Sequence, residues 1–176
     1  MSAMLASAIH QQGAASFSET KPACRVLILY EDFAAYCGAA EVCRRLMGRF
    51  ANEIEFHVKC WNFVELVDPK CARHAAKSGT MANIILLSLS AAQVPVDLER
   101  WLDFYLTARS ESPGALTLVL GNQGIHPEDR SDLESWLQQL ADRVAMDFIS
   151  LRPEGEAGLL HPVLPAAMAV EARSPR

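Results

Sequence analysis

Two adjacent carboxylates, Glu31 and Asp32, close the apolar run RVLILY at positions 25–30. Two carboxylates completed by water suit a hard cation such as Mg²⁺. The same pair at a helix start would instead cap the helix and complement its dipole. Ser88 and Ser90 end a second apolar run, and Gly121-Asn122-Gln123-Gly124 follows a third. Hydroxyls and backbone N–H groups at such ends could meet a ligand, while the Gly-Asn segment also reads as a plain turn. Cys71 and His74 are three apart near a helix start. They could form a thiol–imidazole pair, or a small buried thiol beside a surface imidazole. His57 and Cys60 sit in an alternating stretch and should point to opposite sheet faces, which makes them a poor metal pair. Trp61 and Phe63 flank Asn62 and could border a crevice or anchor a loop. No GxxxxGK[ST], GxGxxG or GxSxG motif occurs.

These residues need elements to hold them. Residues 25–30, 83–89 and 116–120 are short continuous apolar runs, as strands buried on both faces would be. Residues 54–61 alternate, with Ile54, Phe56, Val58 and Cys60 opposite Glu55, His57 and Lys59, which suits a half-exposed edge strand. Residues 148–151 form a short final strand. Between them, residues 34–50 carry Ala35, Ala39, Val42, Cys43, Leu46 and Phe50 at helical spacing, with Glu41 and Arg45 placed to pair. Asp68-Pro69 opens a second helix ending near Ala82. Residues 96–108 form a third, with Leu98, Trp101, Leu102 and Tyr105 on one face. Ser131-x-x-Glu134 reads as a capping box that opens the last helix, with Trp136 in its core stripe.

The order βαβαβαβαβ predicts an α/β fold, a doubly wound five-stranded parallel sheet in three α/β/α layers. Buried runs belong at the centre and the alternating and short strands at the edges. This gives the flavodoxin-like order 2-1-3-4-5. Right-handed crossovers put the first helix on one face and the other three on the opposite face. The usual fifth helix is incomplete: residues 152–156 (RPEGE) oppose a helix, and the apolar stretch 159–170 is broken by prolines. Part of one sheet face then needs another cover, either the Pro/Ala-rich segment 152–176 or a partner protein or second copy. Residues 1–23, mixed Ala, Ser, Gln and Gly, read as a flexible N-terminal tail. The domain is expected over 24–151.

The chain has 176 residues, 51% hydrophobic, with 16 Lys and Arg against 21 Asp and Glu. A net charge of −5 argues against a nucleic-acid or anionic-membrane binder. The charge is uneven: residues 97–151 hold four basic and ten acidic side chains. Five cysteines, without a CxxC pair, fit reduced cytoplasmic thiols rather than a disulfide framework. No apolar run approaches the ~20 residues of a membrane span.

In this topology ligands sit where the strand order reverses, beyond the ends of strands one and three. Glu31, Asp32, Ser88, Ser90 and nearby Asn122 are therefore the expected ligand-binding residues, with Glu31 and Asp32 as the metal candidates. Over 24–151 the element order, together with Glu31-Asp32, resembles a response-regulator receiver domain. The resemblance implies that the acidic pair helps bind Mg²⁺. The phosphoacceptor Asp expected at the end of strand three is absent, replaced by Ser88-Leu89-Ser90. Gly121 or Asn122 stands near the switch Ser/Thr, and strand five offers no Lys. The implied function is a non-catalytic, degenerate receiver-like signalling or protein-interaction domain. The alternative is a small-molecule or divalent-cation binder or enzyme using the crevice after strands one and three. A flavodoxin-type phosphate loop is not expected, because residues 31–35 (EDFAA) place negative charge where that loop needs hydroxyls.

Overall fold

A computed structural model describes residues 21–109, 112–121 and 126–151. Asn122, residues 1–20 and residues 152–176 lie outside the described residues, and with them the expectations for both terminal segments. The elements are β1 (Ala23–Tyr30), α1 (Phe33–Phe50), β2 (Glu55–Asn62), a 3-10 helix (Phe63–Val67), α2 (Pro69–Thr80), β3 (Ile84–Leu89), α3 (Val96–Ala108), β4 (Ala115–Leu120), α4 (Pro127–Arg143) and β5 (Asp147–Leu151). All strand pairs are parallel, in the order β2-β1-β3-β4-β5. This is the expected flavodoxin-like arrangement.

The register decides which residues share a face. Val26 pairs with Val58 on β2 and Ile84 on β3, and Ile84 with Ala115. Residues of this set and those two positions away point to α1. Their neighbours, Leu27, Leu29, Ile85, Leu87, Leu89, Leu116, Leu118 and Leu120, point to α2, α3 and α4 and form the larger core. Trp101 stacks on Tyr105 there, with centroids 4.8 Å apart. The small face of α2, with Ala72, Ala75, Ala76 and Gly79, lets this ring pair approach closely. Burial pushes the Tyr105 hydroxyl up to about 12.

The opposite core is smaller: Cys24, Val26, Ile28, Ala39, Cys43, Ile54, Leu86 and Val119. Among the described residues α1 is the only helix on this face. It lies over β1, β3 and β4 rather than over the β1–β2 pair that it connects. Gly38 lies at this contact, where a Cβ would meet Val119 at an ordinary van der Waals distance of 3.6 Å. The cost falls on β2, where Val58 remains 37% exposed and Cys60 is also exposed.

Two local readings need correction. The Ser131-x-x-Glu134 pattern is not a helix start. α4 opens at Pro127 and His126 occupies the cap position without a side-chain cap bond. Proline fixes φ for the first turn, and Glu128 and Asp129 complement the dipole, so no polar cap side chain is needed. Glu134 instead accepts from Arg130 at 2.7 Å and from the Ser150 hydroxyl at 2.6 Å, tying α4 to β5. Trp136 is 36% exposed, because it lies on the flank of a stripe whose buried centre is Leu133, Leu137 and Leu140.

The α4–β5 turn carries the one positive φ among described non-glycine residues, Ala145 at 53°. Met146 N–H reaches Ala141 O at 3.0 Å and Ala145 N–H reaches Asp142 O at 3.4 Å. That is a Schellman ending, usually closed by glycine at this position.

Candidate functional site

The carboxyl ends of β1 and β3 bring Glu31, Asp32, Ser88 and Ser90 together, as expected. Glu31 extends β1 by one rung, its N–H donating to Ser88 O at 3.1 Å. Its carboxylate accepts from the Ser90 N–H at 2.8 Å. Asp32 is the N-cap of α1: Oδ1 accepts from Ala35 N–H at 2.8 Å and Oδ2 from the Ser90 hydroxyl at 2.7 Å. These donors hold the Asp32 carboxyl below the usual carboxylate range, the Ala35 N–H first and the Ser90 hydroxyl second.

Ser88 does not face the crevice. It lies inside β3, 1% exposed, and its hydroxyl donates to Ala35 O at 2.7 Å. Asn62 completes the arrangement. Its Oδ1 caps the 3-10 helix by accepting from Val64 N–H at 2.8 Å, and its Nδ2 donates to Glu31 O at 3.3 Å. Asn62 was legible only as a loop residue between two aromatics, yet an Asn followed three residues later by Glu65 is a capping-box signal.

The sum is a latch. Three successive βα junctions are cross-bonded through their own side chains. Asp32 accepts one bond on each oxygen and Glu31 one bond, the bonding of a helix cap, and each of these oxygens keeps a further lone pair. Among the described residues no group of three His, Cys, Asp or Glu side chains is placed to hold a metal. Cys71 and His74 do not form a pair either. The thiol lies 3.9 Å from Asp68 Oδ2, and the His74 ring packs edge-on against Trp61.

The open space lies one strand further along. A crevice of about 540 Å³ separates the segment after β3 from the first turns of α4. Ser90, Ala92 and Val94 form one wall; Asp129, Asp132 and Trp136 form the other, with His126 at the end. Sequence reasoning missed His126 and Asp129 because the helix start was placed late, at Ser131, and it put Trp136 in the core stripe rather than at a crevice. The Pro127-Glu128-Asp129 triplet was the available signal.

All four α-helices begin at this end of the sheet, and each start has its own carboxylates. Asp32 and Asp68 cap α1 and α2, while Asp97 and Glu99 lie in the first turn of α3 and Glu128 and Asp129 in that of α4. The partial positive charge that would attract a phosphate is thus offset at every junction.

No protein-family model and no curated protein matches the chain. A solved structure that resembles it is the flavodoxin-like domain of a Synechococcus sp. protein, at 20% identity and a TM-score of 0.45, covering 72% of this chain and 81% of that one. The doubly wound, flavodoxin-like fold rests on the chain's own strand order and parallel register.

Proposed function

We propose that the chain is a non-catalytic, receiver-like interaction domain that works by presenting a surface rather than by chemistry at the switch point. The observation that carries this reading is the latch. Glu31, Asp32, Ser88 and Ser90 spend their polar atoms on one another and on backbone groups, and no acceptor carboxylate stands at the end of β3. The carboxylates at each helix start also make this end unwelcoming to flavins and nucleotides, whose phosphates need uncovered N–H groups.

The surface is the α1 face beside β2. Phe56, Val58 and Cys60 lie there with little cover from α1, on an edge strand whose outer backbone groups have no strand partner among the described residues. An exposed apolar edge strand is a template for pairing. We take the occupant to be a second copy, because two β2 edges related by a two-fold axis can join both sheets through one self-complementary contact. Sedimentation of the full chain from micromolar to near-millimolar concentration tests this. Wild type is expected to self-associate and Val58→Asp to stay monomeric. A wild-type chain that is monomeric throughout, or a Val58→Asp variant that associates equally, refutes the reading.

The crevice by Trp136 favours a second reading, a small non-anionic organic ligand. Quenching of the exposed Trp136, lost in Trp136→Phe, would support it. A panel of neutral and cationic compounds without effect on emission or melting would exclude it.

A further inference from the structure

The amino half of the sheet holds a second cavity, of about 300 Å³, on the face opposite α1. Its polar lining is Arg25, His57, Lys59 and Ser78, and Leu27 and Met81 contribute to its apolar part. Arg25 and His57 are register partners on β1 and β2, and Lys59 pairs with Leu27 one step further along the same face. Three basic side chains therefore converge on one concave patch.

Their surroundings do not neutralise them. Among the described residues no carboxylate lies within ion-pair distance of Arg25 or Lys59; Glu55 stands 3.5 Å from His57 alone. Like charges on adjacent strands repel. Edge placement, where a long side chain reaches solvent, accounts for Lys59. It does not account for Arg25, which belongs to the interior strand β1. The helix beside the cavity presents its carboxyl-terminal pole, whose partial negative charge favours the two cations without balancing them. The carbonyls of Ser78 and Gly79 at the end of α2 accept from Met81 N–H and Ala82 N–H, and Gly79 O also accepts from Arg109. The Ser78 hydroxyl donates to His74 O at 3.1 Å and accepts from Lys59 Nζ at 3.4 Å, which holds the ammonium group over the cavity.

We propose that this cavity binds a phosphomonoester with a short aliphatic body. The phosphate dianion balances the two fixed charges of Arg25 and Lys59. A guanidinium fork takes two phosphate oxygens, and the ammonium group serves a third as a point charge. The aliphatic body lies against Leu27, Met81 and Ala82, in keeping with a pocket that is apolar but for a few convergent polar groups. The site is at the opposite end of the sheet from the latch and does not depend on the reading of that region.

Titration of the full chain with inorganic phosphate and with butyl phosphate, followed by ¹H–¹⁵N amide and imidazole resonances, tests the proposal. Both probes are expected to give saturable shifts at His57, Ser78 and Ala82, with butyl phosphate binding several-fold more tightly. Arg25→Gln and Lys59→Gln should each weaken binding about tenfold, the loss of one charge-assisted contact. Lys77→Gln should leave it unchanged. Arg25, His57 and Lys59 are all exposed, so the variants should fold; a circular-dichroism melt checks this, and His57→Gln gives an independent variant. Non-saturating shifts spread over all basic residues would overturn the site. So would unchanged affinity in the Arg25 and Lys59 variants, or equal affinity for the two probes.

Discussion

Replacing Asp32 separates a latch from a cation site. Asp32→Ala removes the N-cap bond to Ala35 and the acceptor of the Ser90 hydroxyl. An N-cap is worth about 1 kcal/mol, and an exposed hydroxyl bond adds less than one more. The expected loss is about 1–2 kcal/mol, taken low because Asp32 is exposed. For a domain of this size, 1 kcal/mol moves Tm by about 4 °C, so Asp32→Ala should melt about 4–8 °C lower. Asp32→Asn keeps an amide oxygen for the cap and should stay within about 0.5 kcal/mol of wild type. The pH dependence has a definite sign. The folded carboxyl is held below its unfolded value of 3.8. Its charge-dependent contribution is therefore complete above that value and fades as pH falls through the folded one. The gap between wild type and Asp32→Ala should be full at neutral pH and shrink under acid. Mg²⁺ provides the contrast. A real site exposed to ten times its Kd would add about 1.4 kcal/mol, whereas the latch leaves Tm unmoved. Melting curves at several pH values, with and without Mg²⁺, check all of this. A wild-type Tm raised by Mg²⁺ but unmoved in Asp32→Asn, or an Asp32→Ala variant as stable as wild type, refutes the argument.

Other outcomes follow from the packing. Gly79→Ala puts a Cβ at 3.0–3.2 Å from the Tyr105 and Trp101 rings. Overpacking should outweigh the helix-propensity gain and cost about 1–2 kcal/mol net in urea unfolding. Gly48→Ala meets nothing within 4 Å and should gain about 0.5–1 kcal/mol in the same assay. Ala145→Gly relieves the left-handed backbone of the α4–β5 turn, and a gain of up to about 1 kcal/mol should appear as a raised midpoint with unchanged slope. Native alkylation followed by mass mapping should modify exposed Cys37 and spare buried Cys24 and Cys43. Burial pushes the Cys43 thiol up to about 11, so raising the pH moderately should not expose it.

The sheet was legible because strand burial writes itself into composition. A strand covered on both faces, such as Ile84–Leu89, is apolar at all but one position, and an edge strand alternates. Order and handedness follow from those two textures. The placement of α1 was not legible. Its stripe of Ala35, Ala39 and Cys43 says which side is buried but not which strands it meets. That choice rests on tertiary contacts such as Gly38 beside Val119, residues eighty-one positions apart. The candidate site divides the same way. Glu31 and Asp32 could be placed at a junction, and both a cap and a cation were open to them. The bonds to Ser90, placed by the turn after β3, were not legible in either reading. Trp136 was read as core because periodicity assigns a helix face without separating the buried centre of the stripe from its exposed flank.

The offset of α1 also bears on how the chain acquires its structure. In a doubly wound protein the first βαβ unit would ordinarily bury its helix on its own two strands. Here α1 rests on β1 but also on β3 and β4, which follow it in the sequence by some forty to seventy residues. The leading third of the chain is therefore not an autonomous folding unit. On an emerging polypeptide its helix has only β1 beneath it until β3 and then β4 are available, and the transition state must draw on contacts of long sequence separation. β2, held through its ladder to β1, is then the last strand secured and the first to open. Its amides should exchange with solvent through sub-global openings of lower free energy than those of β3 and β4, and equal protection across the sheet would contradict that order. An edge that opens below the global unfolding free energy makes self-pairing through β2 a matter of local breathing as much as of surface shape.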